Sequence, residues 1–308
     1  MTHTINEVVI GAGVLGRTLA GLLRAQGRAV VLLNRSGGLV DAHAALACDL
    51  SQPDQLSRHL GTSARLYLCA APPYGRWPQE FPQLIDGICR AVQGRQVDIV
   101  YGDNLYAYGV QDHPLLESTP YLAKTVKGRV RAEAANRLMA LQGQGSLRAC
   151  IVRAATFFGP GVENSSVGSG VMREVLAGRP AYLLGNPDLP HSMTYVPDHA
   201  RCMLALAQQH TAYGEVWHTP NSPTQSPRQL LELVAAGRGM PLKVRTAGRL
   251  LLRTMGVFKP EMREHVEMLY QFERPLIVDH DKVARRFGMR ATPLAQALRE
   301  TVDALGVA

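Results

Sequence analysis

The sequence is short of several things at once. Aromatic residues fill only 6% of its 308 positions, with two tryptophans, and charged residues 19%. A basic strip interleaved with stacking aromatics, the footprint of a nucleic-acid surface, has little to be built from. Lysine is scarce: only Lys124, Lys127, Lys243, Lys259 and Lys282 stand among 33 basic residues. The net charge of +8 therefore rests on arginines scattered from Arg17 to Arg299, which read as solvated surface plus a few anion-binding positions. The cysteines number five, an odd count with no C-x-x-C pair, which excludes a disulfide framework and argues for free thiols in a reducing compartment. His191, His199, His210 and His218 lack the tight spacing of a zinc site, so no metal is expected. No apolar run approaches a membrane span, and MTHTINEVVIGAG has no basic n-region. The expectations are a cytoplasmic location, no membrane and no nucleic-acid partner.

What is present is enough apolar material, 46% of the chain, to bury a core. Short apolar runs alternate with helical spacing. Glu7 to Ile10, Ala29 to Leu33, Leu66 to Ala70, Asp98 to Tyr101 and Ala149 to Val152 read as strands without in–out alternation, as in a parallel sheet covered on both faces. Between them, Leu15, Leu19, Leu22 and Leu23 mark one helix, Leu84 to Val92 a second, and Val126 to Leu141 a third. This order predicts an α/β protein with a doubly wound parallel sheet, a Rossmann fold. After Phe158 glycine, serine and proline become frequent. Thr194 to Val196 reads as one more sheet strand, Asp198 to Gln209 as a returning helix, and TPNSPTQSP (219–227) opens a mostly helical end. The expected division is 1–160 plus 190–218 for the domain that carries the parallel sheet, and 161–189 plus 219–308 for a smaller, mostly helical lobe.

Gly11-Ala12-Gly13-Val14-Leu15-Gly16 is G-x-G-x-x-G between a strand and a helix. The first glycine permits the tight turn, the second admits a pyrophosphate to the backbone, and the third lets helix and strand pack closely. The helix N-terminus then holds the anion. An acidic residue after the second strand would bind the ribose 2′-hydroxyl of NAD. Here Asn34-Arg35-Ser36 stands instead; Arg35 can fork onto a 2′-phosphate with Ser36 as a second donor. The pattern predicts NADP in preference to NAD.

With these residues in place, the sequence resembles the extended short-chain dehydrogenase/reductase superfamily of NAD-dependent epimerases and dehydratases. Cys48-Asp49-Leu50 is similar to the family's Asp-Leu pair beside the adenine, which implies cofactor roles for Asp49 and Leu50. Cys69-Ala70-Ala71 resembles the small-residue strand end that lines the cofactor. YGDNLYAYG (101–109), RAATFFGPG (153–161) and TYVPDHA (194–200) are similar to the family's serine-bearing strand, Arg-Pro…Gly-Pro-Gly segment and Tyr-Val-x-Asp-x-Ala segment. The resemblance implies an oxidoreductase or epimerase acting on a carbonyl or hydroxyl between the lobes, with a small-molecule substrate, anionic if it meets arginines there. Homodimerisation is left open.

The departures from the family pattern are specific. Ile10 occupies the place of the fingerprint's first glycine. Asn104 stands where the catalytic Ser or Thr belongs. The Tyr-x-x-x-Lys dyad has no counterpart in TPYLAKTVKGRVRAEAANRL: alignment on Glu133 puts Thr125 and Arg129 there, and alignment on Lys127-Gly128 gives Lys127 and Arg131. Tyr121 has Lys124 three residues on instead of four. The proton-carrying candidates are accordingly Tyr121, Lys124 and Lys127, with Asn104 as a hydrogen-bonding group. Desolvation can turn a lysine into a base, and isoflavone-reductase-like relatives use one there. The missing dyad also motivates a rival from another class, a non-catalytic NADP sensor resembling NmrA-like regulators. Tyr108 is expected in the core, Tyr106 towards a cleft, and Asp198 as a helix cap. Met255, Met262 and Met268, near Phe258 and Tyr270, read as core, and Glu261 with His265 as a surface pair.

Overall fold

A computed structural model describes residues 6–145, 147–248 and 266–306. Met255, Phe258, Glu261, Met262 and His265 lie outside the described residues. The chain separates into two compact units: 1–109, 120–153 and 199–217 form the first, and 110–119, 154–198 and 218–308 the second. The boundaries expected at 160 and 190 thus fall at 153 and 198.

The first unit is built on an eight-stranded sheet. Its strands are β1 (Asn6–Ile10), β2 (Val30–Asn34), β3 (Gly38–Val40), β4 (His43–Ala47), β5 (Ser63–Leu68), β6 (Gln96–Asn104), β7 (Arg148–Ala154) and β11 (Val216–His218), in the order β11-β7-β6-β5-β1-β2-β4-β3. β1 pairs in parallel with both β2 and β5, so the chain reverses its direction of winding there. Ligands of such sheets bind outside the carboxyl ends of the strands at this reversal. The helices α1 (Val14–Ala25), α2 (Pro53–Ser57), α3 (Trp77–Ala91) and α4 (Val126–Gly143) make the crossovers. Val8, Leu66, Ile99 and Ile151 are fully buried in the strands, with Phe81 and Ile88 of α3 and Leu138 of α4 in the same core. Each such side chain contributes about 1.5–3 kcal/mol of burial.

Several elements differ from the sequence pattern for identifiable reasons. α3 begins at Trp77, not near Leu84, because Pro78 sits in the first turn, where its missing N–H costs nothing, while Pro82 is tolerated inside. β6 runs on past Tyr101 through Gly102-Asp103-Asn104. A Cβ on Gly102 would press on Leu15 and Met203, so glycine here admits two helices to the strand. The β3–β4 hairpin carries no turn signal in the sequence. Its two turn residues, Asp41 (φ 44°) and Ala42 (φ 62°), occupy the left-handed region that Asn-Gly normally supplies.

In the second unit, β8 (Thr156–Phe158) pairs in parallel with β10 (Met193–Tyr195), and β9 (Ala181–Leu184) with β12 (Val244–Ala247). The strand expected at Thr194 to Val196 therefore belongs to this small pair and not to the main sheet. Helices α5 (Ser169–Leu176), α7 (Pro227–Ala236) and Leu294–Asp303 close over Phe158, Met172, Tyr195, Leu231 and Leu298. α6 (Val196–Leu206) leads back to the first unit. Asp198 lies inside its first turn and is not its cap; its carboxylate accepts from the Thr292 backbone N–H (2.9 Å) and hydroxyl (2.8 Å). Among the described residues no helix is long and apolar enough to cross a membrane.

Candidate functional site

The three glycines of the loop have different surroundings. Gly11 has φ 103°, and a Cβ there would meet the Ala70 backbone nitrogen at 2.7 Å. A Cβ on Gly16 would overlap the Gly11 carbonyl, so α1 packs on β1 only through glycine. Gly13 differs: a Cβ on it would find no protein atom within 4 Å. Its extended backbone (φ −70°, ψ −179°) begins α1 without a side-chain cap, and no acidic residue lies in the first turn. Open space, uncapped N–H groups and the positive end of a helix dipole are what a pyrophosphate requires. The residues therefore fit a dinucleotide. Ala12 and Leu15 are buried, and Val14 opens the helix. Arg17, which the sequence pattern does not single out, donates to the Ala12 carbonyl (2.7 Å) and pairs with Asp41 (2.6 Å).

At the end of β2 the Asn34 carboxamide oxygen accepts from the Gly37 N–H (2.5 Å), fixing the turn that carries Arg35 and Ser36. Arg35 is exposed and has Glu80 at 3.5 Å, a surface pair of small worth. Asp49 accepts from the Ser51 hydroxyl (2.8 Å) and backbone (3.0 Å), and these bonds hold its carboxyl below the usual range. The Leu50 carbonyl seats against Gly87 of α3. Cys69 donates from its backbone to the Ile10 carbonyl (2.8 Å), which places Cys69-Ala70-Ala71 beside the glycine loop. Burial pushes the Cys69 thiol up to about 12, so it is no nucleophile.

The four proton-handling candidates have different surroundings. Asn104 ends β6, and its carboxamide oxygen accepts from the Tyr106 N–H (3.0 Å). Lys124 is exposed, and its carbonyl accepts from Arg129 (2.6 Å). Tyr121 lies under the Arg153 guanidinium (4.5 Å) and edge-on to buried Tyr108 (5.8 Å). Lys127, in the first turn of α4, is only 2% exposed, with Nζ 4.9 Å from the centre of the Tyr74 ring. The dyad-aligned positions do other things: the Thr125 side chain caps α4 by accepting from the Gly128 N–H (3.1 Å), and Arg129 is exposed.

Sequence periodicity also missed the charged interior. Val126, expected on the inner face of α4, is exposed, whereas Lys127 and Arg131, four apart, are buried with Val130, Ala134 and Leu138. Arg131 donates to the Tyr101 hydroxyl (2.7 Å) and to Asp103 (3.2 Å), and lies over the Trp77 ring (4.4 Å). Arg153 donates to the other Asp103 oxygen (3.0 Å) and lies over Tyr108 (4.4 Å). Tyr74 was not foreseen either. The Trp77 indole donates to the Pro72 carbonyl (2.8 Å) and meets the Tyr74 ring edge-on at 4.9 Å, which fixes the loop after β5. The Tyr74 and Tyr106 hydroxyls are hydrogen-bonded to each other. Among the described residues no cluster of His, Cys, Asp or Glu can hold a metal ion.

Sheet order, glycine loop and uncapped helix define a Rossmann-type α/β protein. The chain belongs to the NAD dependent epimerase/dehydratase family, whose profile matches residues 8–218, more than half of the sequence. Solved structures with this fold cover nearly all of it. The dTDP-glucose 4,6-dehydratase of Bacillus anthracis in complex with NAD superposes with a TM-score of 0.80 at 14% identity, over 98% of this chain and 96% of its own. The UDP-glucose 4-epimerase of Thermotoga maritima with UDP-glucose gives 0.77 at 18%, over 98% and 99%. The UDP-glucuronic acid 4-epimerase of Bacillus cereus, with UDP-glucuronic acid and NAD, gives 0.79 at 15%, over 98% and 99%. Among curated proteins no sequence match is found.

Proposed function

We propose that the chain is an NADP-linked oxidoreductase, or a redox-neutral epimerase-like enzyme, acting on a carbonyl or hydroxyl of a small molecule. The observation that carries this reading is Gly13, whose missing side chain leaves open space at an uncapped helix N-terminus, on the sheet edge where such folds bind nucleotides. Hydride chemistry belongs to the nicotinamide when it is bound. The chain's own part is to hold the phosphates at Gly13 and to supply a proton-handling group in place of the absent dyad. Of the four candidates, Lys127 suits this best, because its ammonium is withdrawn from water at the first turn of α4. Asn104 suits a supporting role, its carboxamide nitrogen being the half of the group left for a substrate oxygen.

NADP over NAD rests on Arg35: the turn after β2 presents an exposed guanidinium with no acidic residue at the strand end. The relatives solved with NAD are the contrasting case, and binding decides between them. The test is fluorescence titration with NADPH and NADH, followed by turnover on a panel of carbonyl compounds and sugar nucleotides. Tighter NADPH binding with turnover is the expected result.

One observation favours a second reading, a sensor that binds NADP without chemistry. In the alignment on Glu133 both dyad positions are given over to other work, Thr125 to capping and Arg129 to the surface. Tight NADPH binding with no product on the whole panel, and clear discrimination between oxidised and reduced cofactor, would support it.

A further inference from the structure

Three successive carbonyls of the glycine loop are turned to the protein. The Gly11 carbonyl lies against Gly16, where a Cβ would overlap it. The Ala12 carbonyl accepts from Nη1 of Arg17 (2.7 Å), and the Gly13 carbonyl accepts from the Arg17 backbone N–H (3.0 Å). In a trans peptide the C=O and the N–H that follows it point in opposite directions across one rigid plane. A carbonyl held by a donor therefore turns the next residue's N–H the other way. Through this geometry the Ala12 carbonyl sets the direction of the Gly13 N–H, the group to which the cofactor reading assigns the pyrophosphate.

The bond to the Ala12 carbonyl is made by a side chain, and that side chain is itself held. Nη2 of Arg17 pairs with Asp41 (2.6 Å), which stands in the turn of the β3–β4 hairpin. With one terminal nitrogen on the loop and the other on the hairpin, the planar guanidinium has a fixed orientation. The hairpin is tied to α1 a second time by Arg24, which donates to Nδ1 of His43 (2.7 Å). Arginine has no acceptor, so this ring nitrogen carries no proton. Burial and the guanidinium groups of Arg24 and Arg17 hold the His43 imidazole below its usual range, which favours that state. The Asp41 side chain is 75% exposed, so its pair with Arg17 adds little stability and acts by direction.

We propose that Arg17 is a positioning residue for dinucleotide binding: by holding the Ala12 carbonyl it presets the Gly13 N–H towards the pyrophosphate, and Asp41 steadies it there. The inference rests on the cofactor reading, with the phosphates at Gly13. Glycine makes such a hold necessary. A Cβ on Gly13 would find no protein atom within 4 Å, so no packing on that side opposes rotation of the Ala12–Gly13 peptide. A peptide that must turn over at each binding event costs affinity, and a preset one does not. The pyrophosphate is common to both nicotinamide dinucleotides, so Arg17 serves NADPH and NADH alike. Arg35 differs, since its proposed partner is the 2′-phosphate. The competing role for Arg17, a direct contact with that 2′-phosphate, is disfavoured because Ala12 and Asp41 already engage both of its terminal nitrogens.

The test compares the parent with Arg17→Met, which keeps the stem and removes both contacts, by fluorescence titration with NADPH and NADH. Both nucleotides should weaken about tenfold, by factors that agree within about twofold, the low end for one charge-assisted hydrogen bond. Arg17→Lys keeps a charge and a donor and should recover part of that loss. Asp41→Asn should show the same pattern at about two- to threefold. The melt of Arg17→Met should stay close to the parent's; if it falls well below, Arg17→Gln carries the same expectations. A second readout reports the peptide itself. In nucleotide-free protein made with isotope-labelled glycine, the amide resonance that Gly13→Ala removes should move or broaden in Arg17→Met and return towards its place in Arg17→Lys. Unchanged affinity in Arg17→Met overturns the proposal, and so does a Gly13 resonance that stays in place. A loss confined to NADPH also overturns it, because it puts Arg17 on the 2′-phosphate. A parent that binds neither nucleotide sinks the cofactor reading itself, a failure seen before any variant is made.

Discussion

At the scale of one residue, the proposed preference for NADPH rests on Arg35. Arg35 is exposed, and its contact with Glu80 is too long and too wet to hold it against a phosphate dianion. Charge-assisted bonds of this kind are worth about 1.5–3 kcal/mol. Arg35→Ala should therefore weaken NADPH about tenfold or more and leave NADH nearly unchanged in parallel fluorescence titrations; equal losses would refute the assignment. Asp103 has the opposite character, a carboxylate wholly inside with a guanidinium on each side. Removing its charge leaves Arg131 and Arg153 buried and uncompensated, which costs about 3–5 kcal/mol. Asp103→Asn is expected to show that loss in urea unfolding, and a midpoint near the parent's would contradict it. Arg35 could be singled out in the sequence because it follows β2 directly, between Asn34 and Ser36. Asp103, Arg131 and Arg153 could not, because they meet across β6, α4 and β7, a juxtaposition no linear pattern encodes.

The glycine loop is the element in which sequence and geometry can be separated experimentally. Gly16→Ala drives a methyl into the Gly11 carbonyl and should cost several kcal/mol of stability, since the helix cannot withdraw without unpacking Leu19 and Leu23. Gly13→Ala meets nothing and sits at φ −70°, which alanine adopts freely. That variant should melt at or slightly above the parent's temperature while NADPH affinity drops at least tenfold; retained affinity would show that the phosphates lie elsewhere. The strands β1, β2, β5 and β7 and the loop were legible because buried parallel strands have a plain apolar signature. α4 was legible as a helix, and of its expected inner face Val130, Ala134 and Leu138 are buried while Val126 is exposed. The burial of Lys127 and Arg131 was not legible: Lys127 lies over the Tyr74 ring, and Arg131 lies over Trp77 while it pairs with Asp103. The β3–β4 hairpin stayed hidden because Asp41-Ala42 takes a turn that those residues rarely signal.

For the whole chain, acid is the revealing perturbation. His191, stacked on Phe272 in the second unit, is held down to about 4 by burial, and His199, at the start of the segment returning to the first, to about 3. Both folded values lie below the unfolded value near 6.5, so unfolding takes up protons between them. Stability contributed by keeping these rings neutral is complete above pH 6.5 and is lost as pH falls towards 4 and below. Unfolding free energy should drop by about 1.4 kcal/mol per pH unit for each histidine across that window, and His191→Gln should flatten the slope in urea melts at pH 4–7. A slope unchanged by the substitution would put the loss elsewhere. Solved structures with this fold cover residues of both units, while the glycine loop, Lys127 and the buried Asp103, Arg131 and Arg153 lie in the first. A crystal structure of the protein with NADPH tests this account most directly. It should show the pyrophosphate against the Gly13 N–H, the 2′-phosphate on Arg35, and the nicotinamide end beside Lys127. A dinucleotide bound away from Gly13, or with its nicotinamide out of reach of Lys127, would contradict it.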